Sequence, residues 1–257
     1  MTNNLAVLRV YAFDKKKRLG IQKDGGYVIG EIDENYDCYI SAGVANEESF
    51  TRDFLNLNKL NKTDCYAFDG TIKDYPYEYT ENITFNKKNI SDKCSKSHDN
   101  LLSLIDKYDG IFLKMDIEGG EYPWIKNLKQ EHLEKFKQIV IEFHGIFDDS
   151  WNCSYSDKIE CFKKMNKTHY IIHAHGNNCG RINNNGIPET IELTYLNKKL
   201  FRNLPEFNKQ NLPIFNLDFP NNPNKKDINL SFQPFLSGLN VNFEKINHRR
   251  KRFGIIF

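Results

Sequence analysis

Short apolar runs alternate with stretches of helical spacing between about residues 37 and 197, and this alternation is the feature that most constrains the fold. The strand candidates are residues 37–43, 64–68, 82–85, 110–115, 138–143, 169–173 and 189–195. Helical patterns at residues 47–58, 101–105, 121–128 and 159–165 separate most of these runs. The alternation predicts an α/β protein with a doubly wound, mostly parallel seven-stranded sheet that helices cover on both faces.

The two ends of the chain depart from this pattern. Only a loop, residues 174–188, joins the last two strand candidates, which predicts an antiparallel hairpin and therefore an antiparallel edge strand. Five prolines follow Phe201, and we expect an irregular tail packed on the core. The predicted organisation is an N-terminal extension and lid over residues 1–36, a core over 37–200 and the tail over 201–257.

Composition excludes several classes of partner. The net charge is only +2, and the basic runs at residues 15–18 and 249–252 are typical of solvated surface, so we predict no nucleic-acid partner. No stretch approaches the roughly 20 apolar residues of a membrane span, and the N-terminus has no signal-peptide pattern. The six cysteines form no C-x-x-C pair, which is typical of reduced thiols in a cytoplasmic protein.

Open α/β sheets bind ligands beyond the carboxyl ends of their strands, so the residues that follow each strand are the site candidates. Gly43 follows the first strand, where a glycine lets the backbone approach a ligand closely; a plain strand-to-helix turn is the alternative. The full G-x-G-x-x-G pattern of dinucleotide-binding proteins is missing. Asp69 follows the second strand and could bind both hydroxyls of an adenosine ribose or cap its own turn.

The fourth strand candidate delivers an acidic segment to the same edge. Strand geometry places Lys114, Asp116 and Glu118 on one side, and Glu121 falls in the first turn of the next helix, where the helix dipole favours it. Bare carboxylates at the end of a buried strand are costly unless they are used or paired. The segment therefore indicates a functional site.

The motif Lys114-Met-Asp-Ile-Glu-Gly-Gly-Glu121 resembles the K-x-D-x-E-G-x-E signature of FkbM-type and related class I methyltransferases. Residues 18–20, 24–28, 141–144 and 187–195 are also similar to that family, so the resemblance covers about residues 18–197. It implies a class I, Rossmann-like fold and S-adenosylmethionine as methyl donor. It also implies an acceptor that is often a glycan or a glycosylated hydroxyl, as in capsular or surface polysaccharide biosynthesis.

The resemblance also implies roles for individual residues. It places Gly43 and Asp69 at the cofactor and Asp116 beside the methyl group, and Gly26, Tyr27 and Asn89 complete the predicted cofactor set. The turn at residues 24–27 becomes a candidate lid over the cofactor, although a simple turn between two short strands explains it equally well. The chain departs from the family in its first glycine motif, which keeps only Gly43.

A histidine joins the acids at the strand ends. Asp116, Glu142 and His144 are expected to converge, because Glu142 and His144 share one face of the neighbouring strand. Either His144 or Asp116 could act as a general base, with Lys114 orienting Asp116 or the cofactor carboxylate. Alternatively, the three converging residues could hold a divalent ion. We favour metal-free catalysis, because imidazole is not a preferred magnesium ligand.

The predicted acceptor contacts are Glu118, His173, His175 and Asn177. The pair His173 and His175 also suggests zinc, but no third ligand follows at a recognised spacing. Asn177 offers donors and acceptors that suit a polyhydroxylated substrate.

Together these features predict an S-adenosylmethionine-dependent O-methyltransferase. Its expected acceptor is a sugar hydroxyl on a nucleotide-activated sugar, a surface or capsular polysaccharide, or a small glycosylated metabolite. The rival functions are an NAD-dependent oxidoreductase, a non-catalytic binding module of the same fold and a zinc hydrolase.

Overall fold

The computed structural model describes residues 4–76 and 83–237. Its strands are β1 (Lys16–Leu19), β2 (Tyr27–Gly30), β3 (Cys38–Ala42), β4 (Cys65–Phe68), β5 (Thr84–Asn86), β6 (Asn89–Ile90), β7 (His98–Asp99), β8 (Ile111–Met115), β9 (Phe136–Phe143), β10 (His169–Gly176) and β11 (Ile191–Asn197). Its α-helices are α1 (Ser49–Leu57), α2 (Leu102–Lys107), α3 (Glu121–Asn127), α4 (Gln130–Leu133) and α5 (Tyr155–Thr168). The predicted third strand began at Asn82, which lies outside the described residues.

Seven strands form the central sheet in the order β10-β11-β9-β8-β3-β4-β5. The five strands from β9 to β5 are parallel to one another, and β11 runs antiparallel to both of its neighbours. The predicted fold class is therefore confirmed. The predicted hairpin is β10–β11 at one edge; β10 is the outermost strand, and the reversed strand β11 lies one place further in.

Both faces of the sheet are buried, which explains the continuous apolar runs. On one face Tyr39, Phe112 and Val140 pack with α1, where the rings of Phe54 and Phe112 lie 4.3 Å apart. On the other face Ile40, Leu113 and Ile141 belong to a cluster that includes residues of α2, α3 and α5. Because β3, β8 and β9 are parallel neighbours, their carboxyl ends lie side by side at one edge of the sheet.

The ends of β3 and β8 are in direct backbone contact. The Asp116 amide donates to the carbonyl of Ala42 (2.9 Å), and Gly43 turns away with a φ of +80°. A Cβ on Gly43 would lie 1.6 Å from the carbonyl oxygen of Asp116, so no side chain fits there. The glycine after the first predicted strand is therefore required by the packing of the two strand ends.

The N-terminal strands β1 and β2 form an antiparallel hairpin beside the sheet. The Arg18 side chain holds its turn by donating to the carbonyls of Ile21, Lys23 and Leu217. A Cβ on Gly26 would lie 2.0 Å from the Ile21 oxygen, so this glycine serves the turn itself. The hairpin then delivers Tyr27, which is buried, to the carboxyl edge of the sheet.

The tail packs against the same core as the sheet. Apolar residues of the segment 212–236 join the main cluster. Two acids of the tail bond to histidines of β10: Asp218 to His173 (2.8 Å) and Asp227 to His175 (3.0 Å). The basic run at residues 249–252 lies outside the described residues. Within residues 4–76 and 83–237, none of the helices has the length and apolarity needed to cross a membrane.

We expect Asp218→Asn to destabilise the fold by about 2 kcal/mol at neutral pH. Burial alone would raise the pKa of Asp218, but the positive charge of protonated His173, together with the hydrogen bonds from His173 and from the Ile214 amide, outweighs burial and lowers that pKa to about 2. Because the folded pKa lies below the unfolded one, this stabilisation is present above about pH 4 and is lost as the pH falls toward 2. Urea denaturation of both proteins across this range measures it.

The matched control is Asp33→Asn, which removes an acid from the exposed pair with Lys15 and should change the free energy of unfolding little. Equal stability of Asp218→Asn and the wild type at pH 7 would contradict the anchoring role of Asp218.

Candidate active site

Acids from two neighbouring strands and a tyrosine from the hairpin meet at the carboxyl edge of the sheet. The Nε2 atom of His144 lies 3.9 Å from Asp116 and 3.8 Å from Glu142. The Tyr27 hydroxyl donates to both carboxylates, at 3.3 Å to Asp116 and 3.4 Å to Glu142. The structure thus brings together the three residues expected to converge, and it adds the hydroxyl of Tyr27.

The turn after β8 carries the next acid to the same histidine. Glu118 has a φ of +52°, in the left-handed region that costs about 1–3 kcal/mol for a residue with a side chain. Its carboxylate lies 3.3 Å from Nε2 of His144, and its side chain is largely exposed. Glu118 therefore lies at the solvent-exposed side of the site, and its contact with a substrate stays a prediction.

Glu121 holds the other side of the imidazole ring. It is fully buried, and its carboxylate accepts from the amides of Ile117 and Gly119 and lies 3.1 Å from Nδ1 of His144. A carboxylate can only accept a hydrogen bond, so the proton between Glu121 and the imidazole belongs to Nδ1. The other ring nitrogen, Nε2, is directed toward the remaining acids of the site. The sequence indicated Glu121 as a helix-start acid and as the last acid of the signature motif. Its bond to His144 was not predicted, because the period of a strand or helix does not reveal a partner 23 residues away.

The charges around His144 change its pKa and that of Glu142. Burial would lower the pKa of His144, but its bond to Glu121 and the charges of Glu121, Asp116 and Glu118 raise it above the ordinary value. Burial, together with the charges of Asp116 and Glu192, raises the pKa of Glu142 well above its ordinary value. The site therefore favours a protonated imidazole and a protonated Glu142 more than water does.

A second group of acids adjoins the first. Glu192 of β11 pairs in register with Glu142 of β9, and Asn221 of the tail donates to both Glu192 (2.7 Å) and Asp24 (3.1 Å). Two sets of residues could hold a cation: Asp116, Glu142 and His144, or Asp24, Glu142 and Glu192. Sequence analysis placed Asp24 and Glu192 in segments similar to the family but gave neither of them, nor Asn221, a role in holding a cation.

The ends of β3 and β4 form the opposite side of the site. Lys114 donates to the Gly43 carbonyl at 2.5 Å. One oxygen of Asp69 accepts from the amides of Val44 and Ala45, and the other accepts from the amide and hydroxyl of Thr71. Burial opposes ionisation of Asp69, but these hydrogen bonds lower its pKa. Asp69 therefore fixes the turn after β3, and a ribose would have to exchange for some of these bonds.

Two further polar residues lie on this side. The Asn89 side chain accepts from the Gly70 amide at 2.9 Å, directly beside Asp69. Glu48, which sequence analysis missed, is buried and accepts from the hydroxyls of Ser41, Thr51 and Tyr75. Position 48 carried no signal, because an acid before a helix usually serves only the helix dipole.

The predicted acceptor residues of β10 have partners of their own. His173 bonds to Asp218, and His175 lies between Glu192 (3.0 Å) and Asp227 (3.0 Å). Neither histidine belongs to a possible three-residue metal group within the described part of the chain. Asn177 donates to Glu142 at 2.9 Å. The structure thus assigns both histidines to holding the tail, and their contact with a substrate remains a prediction.

The residues present fit S-adenosylmethionine better than a dinucleotide. The side chains that line the site are mainly carboxylates, which suit a ligand with a positively charged sulfonium and an ammonium group. A dinucleotide would place its pyrophosphate at the start of α1. There the Ser49 amide already donates to the Glu47 carboxylate (2.7 Å), and the carboxylate of Glu48 is buried nearby.

Comparison with known proteins assigns the chain to a family. The family model described as the methyltransferase FkbM domain matches residues 12–181, which is more than half of the chain. The match spans Gly43, Asp69, Asp116 and His144. A search of curated proteins found no match to the chain. With its mostly parallel seven-stranded sheet and this match, the chain belongs to the FkbM methyltransferase family.

Proposed function

We propose that the protein is an S-adenosylmethionine-dependent O-methyltransferase that acts on a sugar hydroxyl. The observation that carries the proposal is the convergence of Asp116, His144 and Tyr27 beside the Gly43 turn in a chain of this family. The proposed base and the proposed cofactor site then lie at the ends of adjacent strands. Direct transfer of a methyl group requires this closeness, because the cofactor and the acceptor must be bound side by side.

Several residues of the chain would hold the cofactor. Asp69 and Asn89 lie where the adenosine ribose would bind, and the ammonium of Lys114 is suited to the cofactor carboxylate. Asp116 and Tyr27 border the methyl group. When bound, S-adenosylmethionine supplies an electrophilic methyl carbon on a positively charged sulfur. The acids near Asp116 stabilise that charge in the bound state, and the buried surroundings exclude competing water.

His144 is placed to remove the acceptor proton. When S-adenosylmethionine supplies the methyl group, the acceptor hydroxyl would give its proton to Nε2 of His144. Glu121 keeps Nδ1 protonated and the ring oriented, and Asp116 stabilises the imidazolium that forms. Asp116 is the alternative base. We propose that no metal takes part, because imidazole is a poor magnesium ligand.

The chemistry of the acceptor side supports a sugar. Glu118 and Asn177 offer hydrogen bonds of the kind that sugar hydroxyls make. The acceptor would be a nucleotide-activated sugar or a unit of a surface or capsular polysaccharide. The six cysteines are free thiols, which supports a cytoplasmic location.

Asp116→Asn should reduce methyl transfer from labelled S-adenosylmethionine to sugar acceptors by roughly 100-fold or more, because it removes the negative charge that stabilises the imidazolium of His144 as it takes up the proton. The melting temperature should change little. The control variant is Asp109→Asn, whose side chain is exposed and distant from the edge of the sheet that carries the site. Near-normal turnover by Asp116→Asn would remove Asp116 from the proposed role, and wild-type protein that transfers no methyl group to any sugar would contradict the function.

The pH dependence of kcat/KM should identify the base. If His144 accepts the proton, activity rises with pH, and the midpoint of the rise lies above 6.5 because its acidic neighbours raise the pKa. Glu121→Gln should move that midpoint to lower pH, since it removes the nearest of those charges. A rise centred near pH 4 in the wild type, unmoved by Glu121→Gln, would assign the base to a carboxylate.

A further inference from the structure

Trp151 is the one described tryptophan with an accessible ring. It is 44% exposed, whereas Trp124 is fully buried. Isolated exposed apolar side chains are common, so exposure by itself indicates nothing. The backbone of Trp151 is less ordinary: its φ is +56°, and that of Asn152 is +52°. Each such residue costs about 1–3 kcal/mol, and for a bulky side chain the conformation is rare.

The surrounding structure holds Trp151 in this conformation. The ammonium of Lys158, a fully buried residue, donates to the carbonyls of Gly145 and Asp148 and to the hydroxyl of Ser150. Two glycines make room for the indole, because a Cβ on Gly119 would lie 2.7 Å from the Trp151 side chain and one on Gly145 would lie 2.6 Å from it. One side of the indole thus packs on glycine backbone, and the other remains open.

The indole of Trp151 lies beside the imidazole of His144. The ring centre of Trp151 lies 5.3 Å from that of His144, with the planes at 60°. The exposed carboxylate of Glu118 lies 3.3 Å from Nε2 of the same histidine. A molecule that packs on the exposed part of the indole would therefore lie next to His144 and Glu118.

We propose that Trp151 is the platform for the acceptor, and that the acceptor ring is a neutral hexopyranose. The inference rests on the proposed function and names its substrate class. The axial C–H groups of a pyranose make an apolar face that packs on an aromatic ring, and its hydroxyls project from the edge. Stacking on Trp151 would leave an edge hydroxyl facing His144.

The surrounding charges disfavour an anionic ring. The carboxylates of Asp116 and Glu118 lie 3.9 Å and 3.3 Å from Nε2 of His144, and the cation Arg181 is already paired with Glu189 (2.6 Å) and Asp148 (3.0 Å). An anionic ring such as a uronic acid would be repelled by these carboxylates. Any phosphate of a nucleotide-activated acceptor must therefore extend away from the indole.

Tryptophan emission tests the inference, because acrylamide quenches the exposed Trp151 and not the buried Trp124. Protein saturated with S-adenosylhomocysteine is titrated with methyl glucoside, galactoside, mannoside and the matched methyl glucuronide. At least one neutral pyranoside should lower quenching of Trp151 at least twofold, and the glucuronide should not. Trp151→Phe removes the exposed emitter and serves as the signal control.

Turnover of the protecting pyranoside completes the test. Trp151→Leu should raise KM about tenfold, which corresponds to about 1.4 kcal/mol of stacking, and should change kcat little; Trp151→Phe should fall between it and the wild type. The inference is wrong if S-adenosylhomocysteine binds but no neutral pyranoside protects Trp151, if the glucuronide or a free nucleoside protects it instead, or if Trp151→Leu keeps the wild-type KM. Failure of S-adenosylhomocysteine to bind would instead overturn the proposed function.

Discussion

The backbone contact between Gly43 and Asp116 is the constraint on which the site depends. Because a Cβ at position 43 would overlap the Asp116 carbonyl, β3 and β8 can end side by side only with glycine there. That contact places the turn after β3 beside the acid after β8. Lys114 then bonds to the Gly43 carbonyl, and Asp69 binds the amides of the two following residues. The cofactor side and the acidic side are thereby fixed relative to each other.

The acidic side needs support from parts of the chain outside the sheet. Buried carboxylates are costly without partners. Glu142 receives hydrogen bonds from Tyr27 of the hairpin and from Asn177, which follows β10, and Glu192 receives them from His175 and from Asn221 of the tail. The N-terminal hairpin and the C-terminal tail therefore have a similar structural role: each supplies a second donor to one of these acids.

Sequence reasoning reached the fold and the strand-end residues because both are local properties. The apolar run before Asp116 and the glycine at position 43 indicate a strand and a turn wherever they occur. The partners of His173 and His175 could not be inferred in this way, since Asp218 and Asp227 lie 45 and 52 residues away in an irregular tail. Glu121 illustrates the same limit: its helix-start position was predictable, and its bond to His144 depends on tertiary packing.

Calorimetry with S-adenosylhomocysteine tests the central claim most directly, namely that the ends of β3, β4 and β8 form a site for a methyl-donor cofactor. The account predicts saturable binding with one molecule per chain, much weaker binding by Asp69→Asn and no binding of NAD. Absence of binding by both S-adenosylmethionine and S-adenosylhomocysteine to the folded wild-type protein would contradict it.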